Sequence, residues 1–268
     1  MDTPAKPADQ IGNQILVIDD DAIMRELLLL LLGTEGHTVS TAESGDDALA
    51  ALAGLEDMHM PSVVLTDLKM PGLSHSELAA RLRSVCPSTT VLLAMSASEP
   101  AAGETNGFDA FLRKPFSVAG YNAAVERARS EHPAETVVES PTSGELVSSS
   151  VPAVDDAIFA KLSSLMSGAQ VLEIYTMCLG DTAARADRMS SAVAVNDAVT
   201  FVREAHVVKG GCGMLGATEL YSLAGRMETG GLACSSLLRD FGPAIERLRR
   251  ILEERIDRDV DERTESQN

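Results

Sequence analysis

The chain predicts an α/β domain built on a five-stranded, parallel, doubly wound sheet, followed by a separate all-α antiparallel helical bundle. Three observations carry this reading. Short apolar runs alternate with amphipathic segments through the first half. A stretch rich in Pro, Ser, Thr and Glu interrupts the pattern over 132–153, and beyond it only helical periodicity remains. At 268 residues, 45% hydrophobic and 23% charged, the chain is long enough for two modest soluble domains.

The first domain is expected over 13–131. Strands are placed at 15–18, 37–41, 62–66, 90–94 and 110–112, because each is a short apolar or β-branched run. The runs Ile15-Leu16-Val17-Ile18 and Val63-Val64-Leu65 are continuous instead of alternating, which suits strands covered on both faces. Helices fill the gaps at 22–32, 44–55, 74–85 and 118–129. The six leucines Leu27 to Leu32 span every direction of a helix, so some must stay exposed, either against the last helix of the domain or as a docking face.

The segment 132–153 reads as a flexible linker with a reach of roughly 25 Å. The bundle is expected over 154–258, with helices at 170–193, 198–215, 219–227 and 235–255, and 259–268 as a charged, disordered tail. The net charge of -18 and pI near 4.6, with no basic stripe, argue against nucleic acid as a partner. The opening residues carry no charged-then-apolar signal, and no apolar stretch approaches membrane length, so a cytoplasmic protein without membrane insertion is expected. Cys86, Cys178, Cys212 and Cys234 lack C-x-x-C spacing and read as small buried hydrophobes in a reducing compartment.

Chemistry concentrates at the strand ends. Asp19-Asp20-Asp21 follows the first strand and Asp67 ends the third, and an open parallel sheet binds ligands beyond its carboxyl edge, at the switch point of the winding. Asp19, Asp20 and Asp67 should therefore share one pocket. Carboxylates about 4 Å apart repel by about 4 kcal/mol per pair at an effective dielectric near 20, which calls for a cation. Mg2+ fits, being held by one or two carboxylates plus phosphate oxygens, and an aspartate so placed can attack phosphorus and become an acyl phosphate. Ser96 and Lys114, ending the fourth and fifth strands, offer a hydroxyl and an ammonium to the remaining phosphoryl oxygens.

In the bundle, a helical wheel puts Phe201, Ala205, Val208, Cys212 and Leu215 together, nearly opposite His206. The histidine is therefore expected to face outward, with Lys209 one turn on to stabilise a phosphoryl group on its imidazole. Gly210 and Gly213 follow on the histidine's face. Glycines in a helix interior cost about 1 kcal/mol each, and close approach of a partner gives those at 210, 211, 213 and 216 a purpose.

Asp19-Asp20, Asp67 with Met70-Pro71-Gly72, Ser96-Ala97 and Lys114-Pro115-Phe116 resemble, in order, the receiver domain of two-component response regulators, a flavodoxin-like fold. The resemblance implies Asp67 as phospho-acceptor, Asp20 as a magnesium ligand with Asp19 assisting, Ser96 as switch hydroxyl and Lys114 as the phosphate-sensing cation. Phe111 falls at the position of the family's rotating aromatic. Lys69 and Ser98 fall where related receivers tune acyl-phosphate lifetime. The stretch from Ser96 to Lys114, holding Pro100, Gly103 and Gly107, is roughly one helical turn shorter than receivers usually allow, so a stunted fourth crossover helix is expected.

His206, Lys209, Gly210 and Leu215-Gly216-Ala217 resemble the histidine-containing phosphotransfer (HPt) domain. Together the two resemblances imply a phosphorelay protein that moves phosphoryl groups between Asp67 and His206 or partner proteins, with a sensor histidine kinase and other receiver or phosphotransfer proteins as partners. No nucleotide-binding glycine box follows the histidine segment, so no ATP-dependent kinase domain of its own is expected. A phosphorylation-gated binding module, or a phosphate sink with no internal transfer, is the alternative reading. An autonomous phosphatase is disfavoured by the lack of a second general acid near Asp67.

Overall fold

The computed structural model describes residues 14–56, 59–130 and 152–265, with side chains described as far as Arg255. The chain divides into two compact units at Ser140 and Pro141. The expected linker lies outside the described residues up to position 151.

The first unit contains strands β1 (Gln14–Ile18), β2 (Thr38–Ala42), β3 (Val63–Asp67), β4 (Val91–Ser96) and β5 (Ala110–Arg113). They form one all-parallel sheet in the order β2-β1-β3-β4-β5. The chain winds outward from β1 to β2, then crosses back to β3 on the other side of β1. The reversal opens a crevice between the carboxyl ends of β1 and β3. Register brings the strand ends level: Ile18 pairs with Thr66, Asp67 with Met95, and Ser96 with Arg113.

Helices α1 (Ala22–Gly33), α2 (Gly45–Leu52), α3 (His75–Val85) and α4 (Val118–Arg129) match expectation to within a few residues. Each starts at a side-chain cap, Asp21, Ser44, Ser74 and Ser117 accepting from backbone N–H groups of the first turn. In α1, Leu27, Leu28, Leu31 and Leu32 are buried while Leu29 stays 36% exposed, as a six-leucine run on one helix requires. Each leucine fully buried contributes about 1.5–3 kcal/mol. One face of the sheet packs Leu16, Ile18, Val64 and Leu92 against Ala48 and Leu52 of α2 and Leu78 and Leu82 of α3.

Between β4 and β5 the structure departs from expectation. There is no stunted helix: residues 97–109 run as bends and tight turns. Gly103 and Gly107 both sit at φ +89°, a region disfavoured for side chains bearing Cβ, and a Cβ on Gly107 would lie 2.9 Å from Ala79 of α3. Asp109 fastens the end of the segment, accepting from the Leu92 amide at 2.7 Å and pairing with Arg83.

The second unit is all helical: α5 (Asp156–Leu165), α6 (Gly168–Ala194), α7 (Ala198–Met214), α8 (Thr218–Gly230), a 3-10 segment (Gly231–Leu237) and α9 (Leu238–Glu265). The sequence reading did not place α5, although Asp155 caps it and Phe159 and Leu162 form its buried face. The last helix continues to Glu265, into the stretch expected as a disordered tail from 259. Gly216 ends α7 at φ +68°, where a Cβ would stand 3.0 Å from Ile158, and the Ala217 amide returns to the Cys212 carbonyl at 2.8 Å. Tyr175 of α6 donates to the Leu215 carbonyl at 2.5 Å, tying the end of α7 into the bundle.

Candidate functional site

The crevice at the end of β1 and β3 brings together all the acidic residues expected there. Oxygens of Asp19, Asp20 and Asp67 lie within 4.8 Å of one another, with Asp19 and Asp67 buried and Asp20 exposed. The backbone holds this arrangement. The Asp19 side chain accepts from the Asp21 amide at 2.9 Å, and the Asp19 carbonyl accepts from Arg25 at 2.6 Å.

Lys114 is placed by β5. Its amide donates to the Ser96 carbonyl at 2.8 Å, extending the β4–β5 ladder past Arg113 and setting the side chain beside the pocket. The following Lys114–Pro115 peptide is cis. The ammonium donates to Asp19 at 2.8 Å and stands 3.5 Å from Asp67 Oδ1, with only 5% of the side chain exposed. Burial works against this charge, but the Asp19 and Asp67 carboxylates outweigh it and hold Lys114 above the ordinary lysine range. Burial pushes Asp19 up to about 7; Lys114 pulls it down and the Asp67 charge pushes it further up.

One ammonium therefore faces two buried carboxylates. Asp67 Oδ1 is buried and makes no hydrogen bond, and the neighbouring Thr66 hydroxyl is likewise unsatisfied. A hard divalent cation fits this set: three carboxylate groups converge, one is exposed toward an entry path, and one buried oxygen has unused acceptor capacity. Ser96, at the end of β4, is fully buried, and its hydroxyl oxygen accepts from the Ser98 amide at 3.3 Å. Phe111 lies on β5, opposite Ala94 and half-buried.

The histidine site corrects one expectation. The apolar stripe of α7 is as read, Phe201, Ala205, Val208, Cys212 and Leu215 being buried, but His206 does not face outward: it is 8% exposed. Helix α8 packs along α7 and delivers Glu228 to the imidazole, with Oε1 2.6 Å from His206 Nδ1. The other oxygen of Glu228 accepts from Lys209 Nζ at 2.9 Å. An ionised carboxylate can only accept, so the short contact is made by Nδ1–H, and in the neutral ring the lone pair then lies on Nε2. Gly210, Gly211 and Gly213 are buried, although a Cβ on Gly211 would meet nothing within 4 Å. Gly225 of α8 lies against the Lys209 stem, where an added Cβ would be 3.8 Å away.

Glu228 was not found from the sequence. The helix expected there ends at Met227, whereas α8 continues through Glu228 to Gly230. The usable signal lay one residue earlier, in Leu220, Ala224 and Met227, a buried stripe that puts Glu228 at its margin. On the same helix as His206, Glu204 is buried and accepts from Arg185, Arg188 and Arg203 at 3.0, 3.0 and 3.2 Å. Burial opposes ionisation of Glu204, but the hydrogen bond from Arg188 and the charges of Arg185 and Arg188 overcome it, leaving the group below the usual carboxylate range. Among the described residues, no helix is long and apolar enough to cross a membrane.

Comparison with known proteins agrees with this geometry. Residues 15–126 match the response regulator receiver domain and residues 173–258 match the Hpt domain. Curated relatives of the first unit include the probable transcriptional regulatory protein TcrX of Mycobacterium tuberculosis, 34% identical over 107 residues, covering 39% of this chain and 44% of that protein. The response regulator MprA of Mycobacterium avium is 34% identical over 131 residues, covering 46% and 56%. The chain thus spans about half the length of the curated relatives it matches. Similar solved structures include the response regulator TrrA of Thermotoga maritima, 28% identical with a TM-score of 0.37 over 43% of this chain and 98% of that one. A carboxylate crevice on a doubly wound sheet and a histidine on a helical bundle, each inside its own family match, make this chain a two-component phosphorelay protein with a response regulator receiver domain followed by an Hpt domain.

Proposed function

We propose that Asp67 accepts a phosphoryl group from the phosphohistidine of a sensor kinase or from a small phospho-donor, and that the group is exchanged with His206 or with the histidine of a partner. The observation that carries this is Asp67 Oδ1, a buried carboxylate oxygen with no hydrogen bond, facing Lys114 at 3.5 Å. An oxygen so placed keeps its lone pairs for attack on phosphorus.

Asp19, Asp20 and Asp67 would hold a magnesium ion, which when bound supplies the positive charge that offsets these carboxylates and the incoming phosphoryl oxygens. In loading, an Asp67 oxygen forms the new bond to phosphorus while the bond from phosphorus to the donor nitrogen breaks, and the imidazole leaves with the electron pair. Lys114 and the Ser96 hydroxyl would bind phosphoryl oxygens and orient the group. Their burial raises the strength of those interactions. In the onward step, His206 Nε2 attacks phosphorus and the Asp67 carboxylate is the leaving group. Glu228 holds the Nδ1 proton throughout and steadies the positive charge that develops on the ring.

One observation favours a second reading: His206 is 8% exposed and pinned to Glu228, which suits a receiver acting as a phosphate sink or phosphorylation-gated binding module. Labelled acetyl phosphate with magnesium, applied to wild type, Asp67→Asn and His206→Gln, separates the two. Acid-labile label on His206 that vanishes in Asp67→Asn supports internal relay. Alkali-labile acyl phosphate alone supports the sink, and no label on Asp67 would sink both.

A further inference from the structure

A cavity of about 170 Å³ lies at the opposite edge of the receiver sheet, between the starts of β1 and β3 and helix α4. Val63, in its wall, and Asp67 are four positions apart on β3, so the cavity is about 13 Å from the acidic crevice. Ile15, Val63 and Val125 give it a buried apolar floor. For scale, an engineered apolar cavity of about 150 Å³ takes up benzene.

Its polar groups are left over by the fold. His37 Nδ1 is buried and makes no hydrogen bond, and the ring stands edge-on to the buried Tyr121 with centroids 6.0 Å apart. A buried nitrogen without a partner costs free energy that a ligand can recover. At the mouth, Asn122, Glu126 and Arg129 are exposed on α4. Glu126 and Arg129 are one turn apart, the spacing at which opposite charges normally meet, yet they form no ion pair with each other. The Arg129 charge acts on Tyr121 instead: burial pushes that hydroxyl up and the guanidinium partly offsets it.

We propose that this cavity binds a small zwitterion, an ammonium carboxylate with an apolar body of about four to six carbons, the chemistry of a branched apolar amino acid. The carboxylate pairs with the Arg129 fork and accepts from the Asn122 amide. The ammonium donates to Glu126 and to the His37 Nδ1 lone pair, and the body covers the apolar floor. A plain anion would be repelled by Glu126 and a plain cation by Arg129, so the mouth selects a ligand that carries both charges. The site shares no residue with the acidic crevice and does not depend on the reading of Asp67.

The test titrates L-leucine into the full chain and follows backbone amide and imidazole nitrogen resonances by NMR, with isocaproate and isopentylamine as probes that each lack one charge. Leucine should shift the amides of Val63 and Val125 and the Nδ1 resonance of His37 saturably. Each single-charge probe should bind about fivefold or more weakly, the scale of one exposed ion pair. Arg129→Met and Glu126→Gln should each weaken leucine binding by about fivefold at unchanged melting temperature, while Asp67→Asn should leave it unaltered. The inference is overturned by the absence of a saturable shift up to about 20 mM leucine, by a single-charge probe that binds as well as leucine, or by leucine affinity that survives both α4 variants.

Discussion

Glu228→Gln isolates the charge of the group behind the histidine. The substitution keeps the side-chain shape and an acceptor for the Nδ1–H, now 2.6 Å away, and removes the negative charge shared with Lys209 at 2.9 Å. A hydrogen bond to a charged partner contributes about 1.5–3 kcal/mol against about 1 kcal/mol for a neutral one. The cationic ring that develops as Nε2 bonds phosphorus therefore loses about 1–2 kcal/mol of support. At about 1.4 kcal/mol per tenfold, transfer to His206 should slow by about 5- to 30-fold. Separating the two steps requires a donor chain with Asp67 intact and His206→Gln, mixed in a rapid-quench instrument with an acceptor chain carrying Asp67→Asn. The readout is acid-labile label on the acceptor. Glu228→Ala, which also removes the acceptor atom, should be slower still. A rate within about twofold of wild type for both variants would refute the idea that the carboxylate contributes to transfer, whatever it does for packing.

Three other perturbations follow from the same geometry. Lys114→Met leaves Asp19 and Asp67 without their cation; it should cost about 3 kcal/mol in urea unfolding at pH 8 and abolish detectable loading of Asp67, and unchanged stability would contradict the buried ion pair. Asp19, pushed up to about 7, keeps its proton in the folded chain at pH values where the unfolded chain has lost it, so magnesium must displace that proton below neutrality. Calorimetric magnesium affinity should then fall by about fivefold from pH 7 to pH 6 and level off above pH 8, and a flat profile would contradict the shift. Glu204 is held below the usual carboxylate range, so its contribution is present above its unfolded pKa and is lost as pH falls through the folded value. Glu204→Gln should cost about 2 kcal/mol at pH 7, less than a fully buried pair because the arginines are partly exposed, and the cost should vanish in strongly acidic solution.

The receiver chemistry was legible because each of its groups is tied to a strand end, and strand ends are marked by local sequence. The run Val63-Val64-Leu65-Thr66 had to be a covered strand, so Asp67 had to emerge at its carboxyl edge. The switch point of the winding then did the rest. What stayed hidden depends on contacts between distant segments. Counting residues between Ser96 and Lys114 indicated a short crossover, but that this space is filled by turns pinned through Gly107 to Ala79 and through Asp109 to Arg83 is tertiary information. The helical wheel of α7 placed its apolar stripe correctly and still misjudged His206. A wheel describes one helix, and the opposite face was covered by α8.

Buried charge alone does not separate the two candidate sites from the rest of the molecule, because Glu204 is as buried as Asp67. The difference lies in what is left over. Around Glu204 both carboxylate oxygens accept from guanidinium groups, so the cluster is complete without a ligand. In the crevice, Lys114 faces the two buried carboxylates of Asp19 and Asp67 while Asp20 adds a third to the cluster, a negative excess that asks for a cation, and Asp67 Oδ1 makes no hydrogen bond. At the histidine the sign is reversed. Glu228 is shared by Lys209 and the Nδ1–H, so a ring that gains charge leaves a positive excess suited to the dianionic phosphoryl group that causes it. The two sites are thus unsatisfied in opposite senses. In the proposed exchange, the aspartate site would hold the phosphoryl group with a metal, while the histidine site would meet it with the ammonium of Lys209.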